Sequence, residues 1–240
     1  MTMTDWIGAV AAVATVLVAI VAIFQDSIRS WLWKPKLSLS ISPQSPDCVK
    51  TELTRSPAVA LRPEHQAMIS EEYPEVNADV YYLRVRVTND GNVAAKNVEV
   101  FASELKTKRA GEGYVAVTSF LPMNLVWSQI GGVYVPQIAP KMHRHCDVAR
   151  VIDPALRREF KPSDKTWDEV DPQAPILDIC THVKVNTLPH LVPAGTYRLT
   201  IIAAGANTEP VTATIEITLK GWYASTERML TDGIGVEIVK

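Results

Sequence analysis

The amino-acid sequence predicts a mainly β protein, with one N-terminal transmembrane α-helix followed by an antiparallel β-sandwich that carries two long proline-rich inserts. Three observations lead to this prediction. Residues 6–24 contain no charged side chain, short runs from Leu37 onward alternate apolar and polar residues, and Pro, Gly and Asn separate these runs. Such alternation is typical of half-buried strands. We therefore divide the chain into an N-terminal tail (1–5), the transmembrane helix (6–27), a juxtamembrane amphipathic segment (28–36) and a β-sandwich domain (37–240).

The uncharged stretch 6–24 is long enough to cross a bilayer once. At about 1.5 Å of rise per residue it spans roughly 28 Å, close to the ~30 Å thickness of the hydrocarbon core. A cleaved signal peptide is the alternative, but it requires a positively charged start and a small-x-small cleavage site. Residues 1–5 contain no Lys or Arg, and the stretch ends with Ile23, Phe24 and Gln25. We therefore expect an uncleaved anchor, with the lipid bilayer as one partner of the chain.

The flanks of this helix predict its orientation. Asp5 precedes the helix, whereas three basic residues follow it within a short distance. Because positively charged flanks stay on the cytoplasmic side, we expect the N-terminus outside and the C-terminal domain in the cytoplasm, at a bacterial inner membrane. Tryptophans mark the two membrane interfaces, and Pro35 ends the helix. The predicted interface residues are Trp6, Arg29, Trp31, Trp33, Lys34 and Lys36.

Small residues form a stripe along one side of the predicted helix. They recur at alternating steps of four and three, opposite Val, Leu and Ile. Stripes of this kind let two membrane helices approach closely, which predicts a homodimer or a larger assembly. The alternative is that alanine serves here as ordinary apolar filler. The predicted helix–helix contact residues are Gly8, Ala12, Thr15, Ala19 and Ala22.

The composition bears on nucleic-acid binding and on disulfide formation. The 26 acidic and 24 basic residues nearly balance, so no charge pattern for nucleic-acid binding is present. The cysteines, Cys48, Cys146 and Cys180, are odd in number and irregular in spacing, which favours reduced thiols over a disulfide framework. We predict no cofactor.

Two strand pairs are the clearest parts of the domain. In the first, Leu83, Val85 and Val87 alternate with arginines, and the chain turns at residues 89–92 and returns through 97–102. An Asp-Gly turn between alternating runs predicts a β-hairpin. The second pair joins 195–203 to 211–219, with Ile215 and Ile217 facing inward. Further strand candidates are 37–41, 114–118, 125–127, 145–151, 177–184 and 235–239.

Two proline-rich inserts, residues 43–78 and 136–193, separate these strands, with short helices predicted after Pro63 and at Pro154. Long structured loops on a sandwich are frequent binding sites. Covering the edges and ends of the sheets is the alternative role. The sequence leaves both open.

Two stretches resemble bacterial immunoglobulin-like and fibronectin-III-like modules, including the cell-adhesion-related type. Residues 87–100 (VTNDGNVAAKNVEV) are similar to a hairpin of these modules, and residues 193–199 (PAGTYRL) are similar to the start of one of their strands. The layout of one helix, a Trp-rich turn and a sandwich resembles small uncharacterised bacterial membrane proteins. The resemblance implies an immunoglobulin-like sandwich, and fold does not imply function.

One group of residues could form a metal site. On strands, two histidines of the segment 143–147 share a face, as do a cysteine and a histidine of the segment 180–182, so four side chains could form a tetrahedral zinc site. Their spacing matches no known ligand pattern, and the alternative is two half-exposed histidines beside buried thiols, so we predict no metal. The candidates are His143, His145, Cys180 and His182.

No motif of a nucleophilic enzyme or a phosphate-binding loop is present in the sequence. We therefore predict a membrane-anchored cytoplasmic binding module without catalytic activity, acting as scaffold, adaptor or sensor and binding another protein or itself. The first alternative is an oligomerising membrane effector of a bacterial stress or anti-phage defence system. The second is an envelope module that faces the periplasm.

Overall fold

The computed structural model describes residues 3–55, 76–157, 171, 173–184 and 189–239; within the N-terminal helix it describes the side chains of residues 6, 10–22, 24 and 25. The helix predicted after Pro63 lies outside the described residues. Helix α1 spans Met3–Leu32 as one continuous element. Across the described residues, α1 makes no extensive contact with any strand.

Two antiparallel sheets follow α1 in the described part of the chain. Among these residues, sheet A contains seven strands. They are β1 (Leu37–Ser40), β2 (Cys48–Arg55), β3 (Val76–Asn89), β7 (Val126–Trp127), β9 (His143–Ile152), β10 (Leu177–Ile179) and β11 (Leu191–Val192). Strand β3 pairs with β1, β2 and β9, and β9 pairs in turn with β7 and β10. The pair β3 and β9 therefore forms the centre of sheet A.

Sheet B, within the ranges that the structure describes, also contains seven strands. They are β4 (Ala95–Arg109), β5 (Gly113–Ala116), β6 (Met123–Asn124), β8 (Tyr134–Ile138), β12 (Gly195–Ala204), β13 (Val211–Leu219) and β14 (Ile234–Val239). A short π-helix, Met229–Gly233, precedes β14. The predicted hairpin of the second pair is confirmed, because β12 and β13 pair in register from Gly195 opposite Leu219 to Ala203 opposite Val211.

One hydrophobic core lies between the two sheets and draws on both. Alternate residues of β3 (Leu83, Val85 and Val87) and of β13 (Ile215 and Ile217) are buried in it, as their spacing predicted. The largest fully buried side chains are Trp127, Tyr81, Leu83, Leu105, Leu125, Ile138, Leu177, Ile179, Leu199, Ile201, Ile215 and Ile217. The chain is thus mainly β, with antiparallel sheets packed in a sandwich-like arrangement.

The hairpin predicted at residues 89–92 is wrong. Strand β3 belongs to sheet A and β4 to sheet B, so the chain crosses between the sheets at this turn. The last residue of β3, Asn89, pairs instead with Leu37 of β1. Period-two alternation reports only that each strand buries one face, and it is the same for strands that pair side by side and for strands that face each other across a core.

The two predicted inserts also contain regular strands. Strand β2 lies within 43–78, and β9 and β10 lie within 136–193. Strand β2 has the largely polar sequence CVKTELTR. It pairs with β3 along one edge. A strand at an edge buries little of its surface, so its sequence carries only a weak apolar alternation.

Candidate functional site

The point at which α1 joins the sandwich is fixed by one buried side chain, that of Asn89. Its Oδ1 accepts hydrogen bonds from the backbone N–H groups of Lys36 (3.1 Å) and Gly91 (3.0 Å). Its Nδ2 donates to the carbonyl oxygens of Val93 (2.7 Å) and Ile138 (3.0 Å). Asn89 is 0% exposed, so protein groups satisfy both donors and both acceptor positions of its amide.

The backbone completes this junction. The N–H of Asp90 donates to the carbonyl oxygen of Lys36 (2.7 Å). A Cβ on Gly91 would lie 2.3 Å from the carbonyl oxygen of Lys34 and 2.7 Å from the Cα of Pro35. Only glycine allows this approach, because any side chain would displace the backbone. Residues 34–36 are therefore held directly against the turn between β3 and β4.

Two further turns lie at the same end of the sandwich. The N–H of Lys141, in the turn between β8 and β9, donates to the carbonyl oxygen of Asn89 (2.8 Å). Asn207, in the turn between β12 and β13, accepts from the N–H of Lys96 (2.8 Å) and donates to the carbonyl oxygen of Ala94 (3.0 Å). We call this surface the α1-proximal end; it comprises residues 33–36, 89–96, 139–144 and 205–210.

The structure places several predicted interface residues at this end or on α1. Trp33 is 55% exposed, and Lys34 and Lys36 are exposed beside it. Trp6 is 62% exposed near the start of α1. The side chains of Arg29 and Trp31 lie outside the described part of the chain.

Helix α1 exposes large apolar side chains along its length. Phe24 is 53% exposed and Val18 69%. The others are Val10, Val13, Val16, Leu17, Ile20 and Val21. Among the residues and side chains that the structure describes, no helix offers an apolar stretch long enough to cross a membrane.

The predicted small-residue stripe also lies on the surface of α1. Ala12, Thr15, Ala19 and Ala22 are exposed. The hydroxyl of Thr15 donates to the carbonyl oxygen of Ala11 (2.8 Å), which satisfies its polar group within the helix. The surroundings of Gly8 lie outside the described part.

Ion pairs cover the outer face of sheet A. The carboxylate of Asp47, 2% exposed, accepts from Nη2 of Arg86 (2.9 Å) and from the backbone N–H of Ser42 (3.0 Å). Its Oδ1 also lies 3.0 Å from Nε2 of His145. Arg84 pairs with Asp147 of β9 (2.9 Å). These contacts connect β3 and β9 to the loop before β2.

A second buried carboxylate, Asp178, lies on β10. It accepts from Nε of Arg150 (2.9 Å) and from Nζ of Lys184 (3.3 Å). Burial alone would lower the pKa of Arg150, but the Asp178 carboxylate, together with Cys180 and Tyr82, raises that pKa above its ordinary value. Both carboxylates are thus neutralised by cations and hold neighbouring strands together.

The four metal candidates are not brought together. The rings of His143 and His145 lie 5.4 Å apart in an edge-to-face arrangement, and His145 faces Asp47. Cys180 is buried, and its N–H donates to the carbonyl oxygen of Val148, whereas His182 is exposed. Across the described ranges, no group of three or more His, Cys, Asp or Glu side chains could hold a metal ion.

The three cysteines are free and buried. Burial, together with the neighbouring Asp47 carboxylate, raises the pKa of Cys48 to about 12. Burial, with Asp178 nearby, likewise raises the pKa of Cys180 to about 12, and burial raises that of Cys146 well above its usual value. Thiols in this state are poor nucleophiles, because the thiolate is the reactive form.

The outer face of sheet B carries a polar cluster around Glu216. The hydroxyl of Tyr114 (2.6 Å) and Nε of Arg198 (3.0 Å) both donate to its Oε2, and the guanidinium of Arg198 lies 3.8 Å from the centre of the Tyr114 ring. The hydrogen bond from Tyr114 lowers the pKa of Glu216. A recess of about 350 Å³ adjoins the cluster and is lined by Lys106, Tyr114, Arg198, Thr200, Thr214 and Val239.

Sequence reasoning missed Asn89 and the turn residues Lys141 and Met142 as parts of the α1-proximal end. The Asn-Asp-Gly sequence at residues 89–91 was the available signal, since Asn binds nearby backbone and Gly permits close approach. The nearness of the turn 139–142 to residue 36 follows from pairing between distant strands, which no local pattern encodes.

Comparison with known proteins gives no matching family model, no matching curated protein and no matching solved structure. The structure itself defines a mainly β protein, with two antiparallel sheets and an N-terminal helix held at one end of the sheets.

Proposed function

We propose that this chain is a single-pass, membrane-anchored binding module, with α1 in the bilayer, its N-terminus outside and an immunoglobulin-like domain in the cytoplasm. The observation that carries the proposal is the exposure of the large apolar side chains of α1, which no strand covers in the described chain. At 100° per residue, residues from Val10 to Phe24 with large side chains span roughly 200° of the helix surface. An apolar surface of this width suits a surrounding lipid phase better than a protein groove, which covers one face.

The orientation rests on the cationic residues that follow the uncharged stretch. Arg29, Lys34 and Lys36 lie on the side of the sandwich, whereas Asp5 lies on the other side of the stretch. Positively charged flanks favour the cytoplasmic side. The alternative is a domain that faces the periplasm, in which case protease added to spheroplasts would reach it.

The immunoglobulin-like assignment is supported by a hydrogen bond at the start of β12. The hydroxyl of Tyr197 donates to the carbonyl oxygen of Pro193 (2.9 Å), four residues upstream. A tyrosine that bonds back to the backbone near a strand start is a recurrent feature of immunoglobulin-like sandwiches. This motif falls within PAGTYRL, one of the two stretches on which the sequence resemblance rests.

A binding role, rather than catalysis, is supported by the state of the reactive side chains. The thiols of Cys48, Cys146 and Cys180 are buried with raised pKa values. The buried carboxylates of Asp47 and Asp178 are engaged by cations. Scaffold, adaptor and sensor roles all require a presented surface, and another protein or a second copy of the chain is the expected partner.

The proposal is tested with the full chain, carrying a C-terminal tag, in bacterial cells. Alkaline carbonate extraction should leave the protein in the membrane pellet, because an apolar helix in the bilayer is not released by charge disruption. Protease added to spheroplasts should leave the C-terminal tag intact. Release by carbonate would overturn the anchor, and loss of the tag would place the domain in the periplasm. A matched variant, Leu17→Lys and Ile20→Lys, should weaken membrane retention, since each charge at the helix centre costs about 3 kcal/mol.

An oligomerising membrane effector is the second candidate function. It is supported by the exposed stripe of Ala12, Thr15, Ala19 and Ala22 on α1. If it is right, Ala12→Leu with Ala19→Leu should abolish both self-crosslinking and any growth arrest on overexpression, because larger side chains separate two helices. Val13→Leu with Val21→Leu, on the opposite side of the helix from the stripe, is the control and should change neither. Self-crosslinking that persists in the stripe variant would exclude the stripe as the contact.

A further inference from the structure

The α1-proximal end is held within a short chain distance of α1. The last residue of the helix is Leu32, and the backbone of Lys36 is bonded to Asn89 and Asp90. Four residues span at most roughly 14 Å. If the end of α1 lies at the membrane surface, as the proposed function holds, the turns at 89–94 and 139–142 lie near the lipid headgroups.

The charge of this end complements an anionic surface. Its exposed cationic side chains outnumber its anionic ones by five to two, a net charge of +3. The cations are Lys34, Lys36, Lys96, Lys141 and Arg144, and the anions are Asp90 and Glu209. Each Lys or Arg near an anionic leaflet strengthens the attraction to it.

Two exposed apolar side chains accompany these cations. Met142 is 59% exposed in the turn before β9, next to Lys141, and Trp33 is 55% exposed at the exit of α1. Tryptophan is enriched at the boundary between headgroups and hydrocarbon, and a flexible apolar side chain gains free energy on leaving water there. Exposed apolar residues beside cations are the pattern of a surface that contacts lipid.

The opposite end of the sandwich is different. There Arg109 lies 3.7 Å from Glu112, and Arg228 lies 3.2 Å from Asp232. These two arginines are thus paired locally and offer less attraction to an anionic surface. This difference favours lipid at the α1-proximal end over a general affinity of the domain for membranes.

We propose that the α1-proximal end docks on the anionic phospholipid headgroups of the leaflet from which α1 emerges. Met142 and Trp33 enter the interfacial layer, and Lys36, Lys141 and Arg144 contact the phosphates. The Asn89 junction holds these residues in one orientation relative to the end of α1. The docking rests on the proposed membrane anchoring and adds to it a second contact between the domain and the bilayer.

The test measures the accessibility of position 142 in the full chain. Met142→Cys is reconstituted into nanodiscs of phosphatidylcholine alone or of phosphatidylcholine with phosphatidylglycerol, and a bulky water-soluble maleimide is added. The native cysteines are buried, so the new thiol dominates the signal. Ala110→Cys, exposed at the opposite end in the turn between β4 and β5, is the matched control. Labelling of Met142→Cys should be at least about tenfold slower with phosphatidylglycerol, and that of Ala110→Cys unchanged.

A second variant separates charge from folding. Adding Lys141→Glu and Arg144→Glu to Met142→Cys should restore fast labelling in phosphatidylglycerol discs, while the native thiols stay unreactive and report an intact fold. Equal labelling of Met142→Cys in both discs, or equal slowing of both positions, would overturn the docking. Carbonate extraction distinguishes the two proposals. If the chain stays in the membrane pellet and position 142 stays accessible, only the docking is refuted. If carbonate releases the chain, the membrane anchor itself is refuted.

Discussion

At the scale of single residues, Asn89 decides how the helix meets the sandwich. Its side chain makes four hydrogen bonds, to residues 36, 91, 93 and 138. These partners come from the helix exit, the turn between the sheets and the end of β8. This buried amide fixes the relative positions of three segments, because each of its backbone partners would otherwise lack a hydrogen bond.

Replacing Asn89 with alanine should destabilise the domain by about 2–4 kcal/mol, because it leaves two N–H groups and two carbonyl groups without their partner. Urea denaturation of the detergent-solubilised chain, followed by tryptophan fluorescence, measures this change. Gln137→Ala, exposed on β8, is the control and should stay within about 0.5 kcal/mol of the native chain. Equal stability of both variants would show that the junction does not support the fold.

The buried thiols give a second prediction at this scale. Cys48 and Cys180 have pKa values of about 12, and that of Cys146 is also raised, so the thiolate fraction at pH 8 is very small. A chromogenic disulfide reagent should therefore not react with the native chain, and should titrate three thiols after unfolding in guanidinium. Rapid reaction of one thiol in the native chain would contradict the buried placement of that cysteine.

At the scale of elements, the alternation of apolar and polar residues along the main strands predicts which face of each strand is buried. It does not predict which strand pairs with it. On β13, Ile215 is 0% exposed between the sheets, and Thr212 lies exposed on the other side. The two residues are three positions apart on one strand and differ in which face they occupy. They therefore form a matched pair for testing the assignment of faces.

Replacing Ile215 with Asp should unfold the domain, because an unpaired charge in the core costs several kcal/mol against a typical total stability of about 5–15 kcal/mol. Thr212→Asp should leave the melting curve within a few degrees of the native one. Circular dichroism during thermal unfolding measures both. The reverse order of the two variants would mean that the faces of β13 are exchanged.

The cluster that joins β5, β12 and β13 predicts a pH dependence. The hydrogen bond from Tyr114 lowers the pKa of Glu216 in the folded chain, so its contribution is present above the ordinary glutamate pKa of about 4.3 and is lost as pH falls through the folded value. Glu216→Gln should cost about 0.5 kcal/mol at pH 7, because the group is partly exposed. The cost should vanish once the pH lies well below the lowered pKa of Glu216. Glu52→Gln, exposed on β2, should show no such cost; a cost for Glu216→Gln that is independent of pH would point to lost packing.

At the scale of the whole molecule, the cations between α1 and β1 have two separable roles. The backbone of Lys36 binds Asn89 and Asp90, and its side chain is exposed. A change of side chain at this position therefore alters the charge of the helix flank without removing a bond of the junction. Orientation in the membrane and folding of the domain can thus be tested apart.

Replacing Arg29, Lys34 and Lys36 with Glu should impair insertion or invert the topology, because positive flanks are retained in the cytoplasm. A C-terminal reporter that is active on only one side of the membrane measures the change. The control replaces Lys108, Arg109 and Lys220, at the far end of the sandwich, with Glu. This change should leave the topology intact. A reporter that remains cytoplasmic after the first reversal, with normal insertion, would show that these charges do not set the orientation.

The candidate site was only partly predictable from the sequence. Trp33, Lys34 and Lys36 follow directly from their place after an uncharged stretch. Lys141 and Met142 join them only because β9 pairs with β3 and β8 pairs with β4. For the zinc hypothesis the tertiary structure separates residues that the sequence grouped. His145 and Cys180 have side chains that could bind zinc, but His145 contacts Asp47 and Cys180 contacts the backbone of β9.

The sequence by itself determined the N-terminal helix, the mainly β character of the chain and the faces of its main strands, because hydrophobic periodicity is local and reports burial directly. Only the tertiary structure decided that β3 and β4 belong to different sheets, that polar β2 covers an edge, and that Asn89 joins the helix exit to two turns. These features depend on contacts between residues far apart in the chain, and alternation leaves the identity of a strand's partner open.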